Sequence, residues 1–323
     1  MAAMMGGVLP AGHAMAQGAE KTPEPAEPAA ARRHVEAARI MGGDDMAAIA
    51  DGFLCRSPEQ GKAYLAPIVT GKEQPAPAAA FDNLYYVGAK FVGVWVLRTS
   101  QGLVLIDAMW NEKDAREVIE PGMRALGLDP RAVKHVIVTH GHVDHYGGAK
   151  HFQAAYGAKV WASAEDWKTI IADPHPLAKG VTPPKRDQIA ANGGALTLGD
   201  ATIRFVLTPG HTPGTLSLLI PVQDGGQQHI VSLWGGTAMP ETAAGVRQMH
   251  ASLLKLWRAG EDAGAEGEIS SHGFVDDSFG RFARKAGAEH NPFDLGRDGY
   301  ARAMGIHSEC ILAQAARFEA WGR

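Results

Sequence analysis

Residues 136–148 read VIVTHGHVDHYGG, and His140, His142, Asp144 and His145 place three imidazoles and a carboxylate within six positions behind a short apolar run. Imidazole nitrogen with one carboxylate suits zinc, though imidazole also accepts iron, copper or nickel. In extended backbone, side chains two apart point the same way, so His140 and His142 can share one ion. Asp144 continues that spacing and His145 breaks it. A bend near Asp144 aims the latter pair at a neighbouring ion. Gly147 and Gly148 permit the tight approach of a loop running into a helix.

Four residues cannot close two coordination shells, and two further histidines stand in comparable places. His211 lies in LTPGHTPGT just after the apolar run TIRFVL, and His272 lies in EISSHGF at the end of another short strand. The chain thus offers two triads, His140/His142/His211 and Asp144/His145/His272, each leaving a coordination position open as hydrolytic zinc requires. His34, His135, His151, His229, His250, His290 and His307 stand alone. They are expected to satisfy ordinary hydrogen bonds or to sit on the solvated surface.

The elements that must hold these groups alternate in blocks. Apolar, β-branched and aromatic runs mark strands over 83–99, 102–109, 135–140, 194–211, 214–222 and 228–236. Helical spacing appears over 111–127 with Asn111 as cap, over 163–172 with Ser163 and Asp166 in capping-box spacing, and over 246–260 and 299–321. The class is α/β with mixed sheets. A Pro-rich loop, 173–187, is long enough to wall a site, with His175 reaching inward. Ahead of the strands, residues 1–16 end in an Ala-Met-Ala cleavage-like signal, 17–32 read as a disordered Pro/Ala/Glu linker, and 33–80 as a helical extension. The catalytic body is expected at 81–323.

Composition narrows the function. A formal net charge of -4 over 323 residues provides no field for nucleic acid, and no apolar run is long enough to span a bilayer. Two cysteines, Cys55 and Cys310, fit either one disulfide in an oxidising compartment or two unrelated buried thiols. With the amino-terminal signal, a periplasmic or secreted location is expected. G-x-S-x-G is absent, so a serine hydrolase has no support. Nothing in the sequence sets the oligomeric state.

THGHVDHYGG, TPGHTPG and SSHGF resemble the metal motifs of the metallo-β-lactamase superfamily, and the likeness runs from about Phe81 to the end. The segment NPFDLGRDGYARAMGIHSEC is similar to the tail of the third subclass of metallo-β-lactamases. The resemblance implies a four-layer αββα sandwich with two zinc ions at the sheet edge. It implies hydrolysis of a cyclic amide by zinc-activated water, with Asp144 as catalytic ligand. The alternative is a lactonase or other cyclic-ester hydrolase of the same fold. Two zinc ions offset by Asp144 and one hydroxide leave a positive pocket, which predicts a small carboxylate-bearing substrate.

The chain departs from relatives at VSLWGGTAMP. Many superfamily hydrolases carry a bridging Asp there, other lactamase subclasses a Cys, and the third subclass serines. This chain has Gly235, Gly236 and Thr237. Asp107 matches a position that supports the metal-binding loop in the superfamily. Trp110, Tyr146, Trp234 and Thr237 are candidates to line the pocket.

Overall fold

The computed structural model describes residues 24–70, 74–172 and 178–323. Alternating side chains organise two sheets. The first holds seven strands in sequence order: β1 (Ala78–Ala79), β2 (Leu84–Gly88), β3 (Gly93–Thr99), β4 (Gly102–Ile106), β5 (Val133–Ile137), β6 (Lys159–Ala162) and β7 (Gln188–Ile189). Strands β1 to β4 pair antiparallel and β4 to β7 parallel. The second sheet holds β8 (Ala195–Leu198), β9 (Ala201–Leu207), β10 (Leu216–Asp224), β11 (Gln227–Leu233) and β12 (Ala265–Ile269), ordered β12-β11-β10-β9-β8.

Odd and even positions of one strand serve different cores. Trp95 and Leu97 of β3 join Phe205, Leu218 and Val231 of the second sheet in a core between the sheets. Val94 and Val96 face the other way and meet Ile119, Met123, Phe152 and Trp167 from covering helices. On the far side, Val206 and Leu219 pack under Met249, Leu253, Met304 and Ile311 of helices Ala243–Ala263 and Gly296–Ala320. Helix, sheet, sheet and helix form the four layers expected.

Several local expectations are met by specific contacts. Asn111 Oδ1 accepts from the backbone N–H of Lys113 and Asp114, starting the helical run that ends at Ala125. That run widens to a π turn over Ala115–Ile119, just ahead of Pro121, which lacks the N–H that would bond back to Glu117 in a regular helix. Ser163 Oγ caps Asp166 N at 3.1 Å. Helices Ala149–Tyr156 and Ser278–Lys285 are short enough that periodicity does not announce them.

The amino-terminal region differs from its sequence reading. A helix runs from Ala29 to Gly42, beginning inside the segment read as linker, where alanines are strong helix formers. Residues 1–16, most of the Pro-rich stretch before Glu24, and His175 lie outside the described residues. Cys55 and Cys310 are bonded, tying the extension to the last helix across 255 residues. Arg317 adds an ion pair to Glu27 at 2.8 Å. No helix among the described residues is long and apolar enough to cross a membrane.

Candidate metal centre

Strand direction gathers the candidate ligands at one edge. Parallel β4 and β5 end together, delivering Asp107 and then Thr139 and His140. In the second sheet β10 opposes both β9 and β11, and β12 is parallel to β11, so β9, β11 and β12 run the same way. Their ends release His211, Gly235 and His272. Leu216 N donates to Thr139 O at 2.7 Å and Gly93 N to Ser271 O at 2.9 Å, locking the sheets together beside the site.

His140, His142 and His211 come together as one group, and Asp144, His145 and His272 as another, each with ligand atoms within 4.8 Å of one another. The imidazole rings of His140 and His145 lie 3.8 Å apart, so the groups adjoin. All six residues singled out by the sequence therefore converge.

Hydrogen bonds set which nitrogen faces the centre. His140 Nδ1 donates to Gly235 O at 2.7 Å, His211 Nδ1 to Ala238 O at 2.8 Å and His272 Nδ1 to Phe91 O at 2.6 Å. A carbonyl only accepts, so each Nδ1 carries the proton and each Nε2 of the neutral ring presents a lone pair. His145 Nδ1 meets Asp107 Oδ2 at 2.7 Å. The Nε2 atoms of His140 and His211 then face each other at 3.0 Å, and those of His145 and His272 at 3.3 Å.

Two lone pairs at that separation repel unless a cation or a proton lies between them. Burial holds His140 well below its usual pKa and takes His211 down to about 3, with the neighbouring imidazoles adding to the effect. With the Nδ1 atoms of His140 and His211 bonded to carbonyls and three imidazoles gathered, the donor set of the first triad fits a divalent ion. In the second triad burial opposes charge on His145, but Asp107 and Asp144 outweigh it and push His145 up to about 10. Burial likewise works against charge on Asp144, yet His145 and His272 hold it well below the ordinary carboxylate range.

Asp107 is buried beneath the cluster. Its carboxylate accepts from Thr139 N at 2.8 Å, Thr139 Oγ1 at 3.0 Å, Ser271 Oγ at 2.5 Å and His145 Nδ1. A left-handed backbone at Asp107, φ 67°, and at Met109, φ 57°, turns the chain sharply after β4 to bring this carboxylate inward. Gly147 follows as expected, since a Cβ there would collide with the Trp110 backbone.

Two supports were not read from the sequence. Asp166 begins as a capping residue, but its carboxylate accepts from Gly141 N at 3.0 Å, Thr212 Oγ1 at 2.8 Å and Gly214 N at 3.2 Å. It ties both histidine loops of the first triad to one helix, and burial raises its pKa. The second support is backbone. Gly235 and Ala238 supply the carbonyls that orient His140 and His211, and a Cβ on Gly236 would stand 2.9 Å from His211 Cβ and Cδ2. No side-chain pattern signals a carbonyl's role.

The pocket candidates divide. Trp110 is half-buried and stacks on Phe91 at 5.8 Å, whose ring lies 5.0 Å from that of His272. Tyr146 instead packs in the core beneath the first sheet, because it shares a helix face with buried Val143. Trp234 is corrected likewise. Leu233 faces the core between the sheets, so its neighbour turns to the outer face under the last helices. Thr237 is buried and presents no free surface to a ligand. Three of the solitary histidines find ordinary partners: His151 with Glu120 at 2.7 Å, His34 with Glu309 at 2.7 Å and His250 with Ser308 at 2.8 Å. His229, Glu266 and Asp294 also gather, but His229 Nδ1 bonds Glu266 at 2.6 Å, which accounts for the group.

Residues 87–224 match the family model described as the metallo-beta-lactamase superfamily. The chain carries a domain of that superfamily. The fold of this metallo-beta-lactamase domain is similar to BJP-1, a subclass B3 metallo-beta-lactamase of Bradyrhizobium japonicum. Identity is 25%, the match covers 80% of this chain and 100% of that one, and the TM-score is 0.66. Among curated proteins, hydroxyacylglutathione hydrolase GloC of Haemophilus influenzae is 27% identical over 34% of this chain and 58% of its own length. The N-acyl homoserine lactonase AttM of Rhizobium radiobacter is 30% identical over 36% of this chain and 46% of its own. The chain spans about half the length of the curated relatives it matches.

Proposed function

We propose that the protein is a zinc-dependent hydrolase of the β-lactamase type that opens a cyclic amide. The observation that carries this reading is the pair of adjoining triads in which His140 Nε2 faces His211 Nε2 and His145 Nε2 faces His272 Nε2 while their Nδ1 atoms are bonded elsewhere. The likeness to a subclass B3 metallo-beta-lactamase, over 80% of this chain, supports the substrate class. Two zinc ions, when bound, supply a nucleophile at neutral pH and a Lewis acid for the carbonyl.

The chain's own residues do the positioning. His140, His142 and His211 would hold one ion, and Asp144, His145 and His272 the other. Asp144 is the one anion among the six, so the loaded centre stays electropositive and attracts a carboxylate-bearing substrate. Its Oδ2, 3.4 Å from His145 Nε2 and 3.9 Å from His272 Nε2, is the oxygen that would complete the second ligand set. The half-buried Phe91 and Trp110 wall one side against bulk water. Export is inferred as well, supported by the Cys55–Cys310 bond and the Ala14-Met15-Ala16 signal.

Purified protein should contain about two zinc ions per chain. Chelator should abolish turnover of penicillins, cephalosporins or carbapenems, and zinc should restore it. A metal content near zero after gentle preparation would overturn the reading. The lactonase relative supports a second reading, a cyclic ester opened by the same centre. Metal-dependent turnover of lactones with none of lactams would select it.

A further inference from the structure

Within the second triad Asp144 and His145 are neighbours in the chain, whereas His272 arrives separately on the loop after β12. Its Nδ1 donates to Phe91 O at 2.6 Å, and its ring meets two others. Phe91 lies 5.0 Å away, and Phe274 of the same loop lies 5.4 Å away. The Phe91 and Phe274 rings also stack on each other at 6.0 Å. A displacement of Phe274 therefore reaches both the imidazole and the residue whose carbonyl orients it.

Two further rings against Phe274 belong to the amino-terminal extension. Phe53 meets it edge-on at 5.6 Å with the planes at 90°, and Tyr64 stands at 6.4 Å. A ring edge is positive and a ring face negative, so an edge-to-face contact fixes orientation as well as filling space. Phe53 is itself anchored twice. It opens the tight turn Phe53–Cys55, whose last residue is bonded to Cys310 of the last helix. Helix Pro58–Thr70 seats against its ring at Gly61, where an added Cβ would stand 3.3 Å from Phe53 Cε2. Tyr64 of that helix carries the Arg56 guanidinium over its face at 4.7 Å.

We propose that Phe53 is a positioning residue for His272, acting through Phe274. The assignment rests on the reading of Asp144, His145 and His272 as a set that holds an ion. The extension gives no ligand to either triad, yet ring contacts make it continuous with the second one. The first triad has no such connection in its ring contacts, which join His140, His142 and His211 to one another and to His145. Loosening the extension at Phe53 therefore acts on one ion and spares the other.

The test compares Phe53→Ala, Phe274→Ala, the double variant and Leu54→Ala in the full chain, Leu54 being a buried residue of the same turn. Phe53→Ala should weaken the second zinc ion about three- to tenfold in competition with a chromophoric chelator, with the first ion unmoved. Cobalt in the second set should show shifted or broadened visible bands. In metal-free protein the Nδ1 proton of His272, identified in NMR spectra by its loss in His272→Gln, should exchange faster. The double variant should lose no more than Phe274→Ala alone, because the two residues act in series. Leu54→Ala should lower the melting temperature and move none of these readouts. Unchanged affinity for the second ion, additive losses in the double variant, or an equal effect of Leu54→Ala would overturn the assignment. Faster exchange of the His272 proton in Phe53→Ala, with no zinc bound by the parent, would uphold the positioning role and overturn the metal reading instead.

Discussion

Two side-chain atoms decide whether the second triad is rigid. Asp107 Oδ2 holds His145 Nδ1 at 2.7 Å, which leaves Nε2 as the atom that faces the centre. Asp107→Asn keeps the size but replaces a charged acceptor with an amide. Zinc affinity at the Asp144/His145/His272 set should fall about 10- to 100-fold, read by competition with a chromophoric chelator. Gly236→Ala probes the first triad from the other side, because the new methyl would stand 2.9 Å from His211. Turnover should drop more than about tenfold, and thermal stability should fall by about 1–3 kcal/mol, since the methyl would also stand 3.0 Å from Cγ2 of buried Thr215. Wild-type kinetics in this variant would show that the His211 position tolerates displacement.

The element that delivers His272 rests on a buried charge network. Asp276 accepts from Ser270 N at 3.0 Å and from Ser278 N and Oγ at 3.1 and 2.6 Å, joining the His272 loop to helix Ser278–Lys285. Glu268, with Arg281 at 2.9 Å and His307 at 3.4 Å, lies behind it. Burial, with the Glu268 charge added, pushes Asp276 up to about 7 from its ordinary 3.8. The folded chain therefore holds this proton more tightly than the unfolded chain does. Stability from Asp276 is full below pH 4, declines as pH rises toward 7, and is constant above. Asp276→Asn, which does not titrate, should remove that decline. Denaturant unfolding at intervals from pH 4 to 8 checks it, and identical slopes for both proteins would refute the assignment.

At the scale of the molecule, the extension and the last helix form one body with the domain. The Cys55–Cys310 bond closes a loop of 255 residues, so breaking it frees much unfolded-state entropy. Cys310→Ser should cost about 2–5 kcal/mol, seen as a lower melting temperature than the oxidised parent. The extension should loosen before the sheets do. Helix Ala29–Gly42 packs on Gly296–Ala320 and contributes nothing to either sheet. Hydrogen exchange that is fastest in 24–70 of the variant would bear this out.

The ligand residues were legible from sequence because metal chemistry restricts the residue types and strand geometry restricts their spacing. His140 and His142 alternate, Asp144 and His145 follow a bend, and His211 and His272 stand just beyond apolar runs. The sandwich was equally readable, through its family motifs and through β-branched runs set between helical periods. What only tertiary structure decided are contacts that carry no side-chain signature or join distant segments. The carbonyls of Gly235, Ala238 and Phe91 orient three imidazoles, yet every residue has a carbonyl. Asp166 looks like a helix cap until Gly141 and Thr212 are found against it. Trp234 and Tyr146 have the types that line pockets, but strand and helix phase turn them into cores. Pairing of Cys55 with Cys310 likewise needed their approach in space, since two cysteines far apart in a chain are silent about whether they meet.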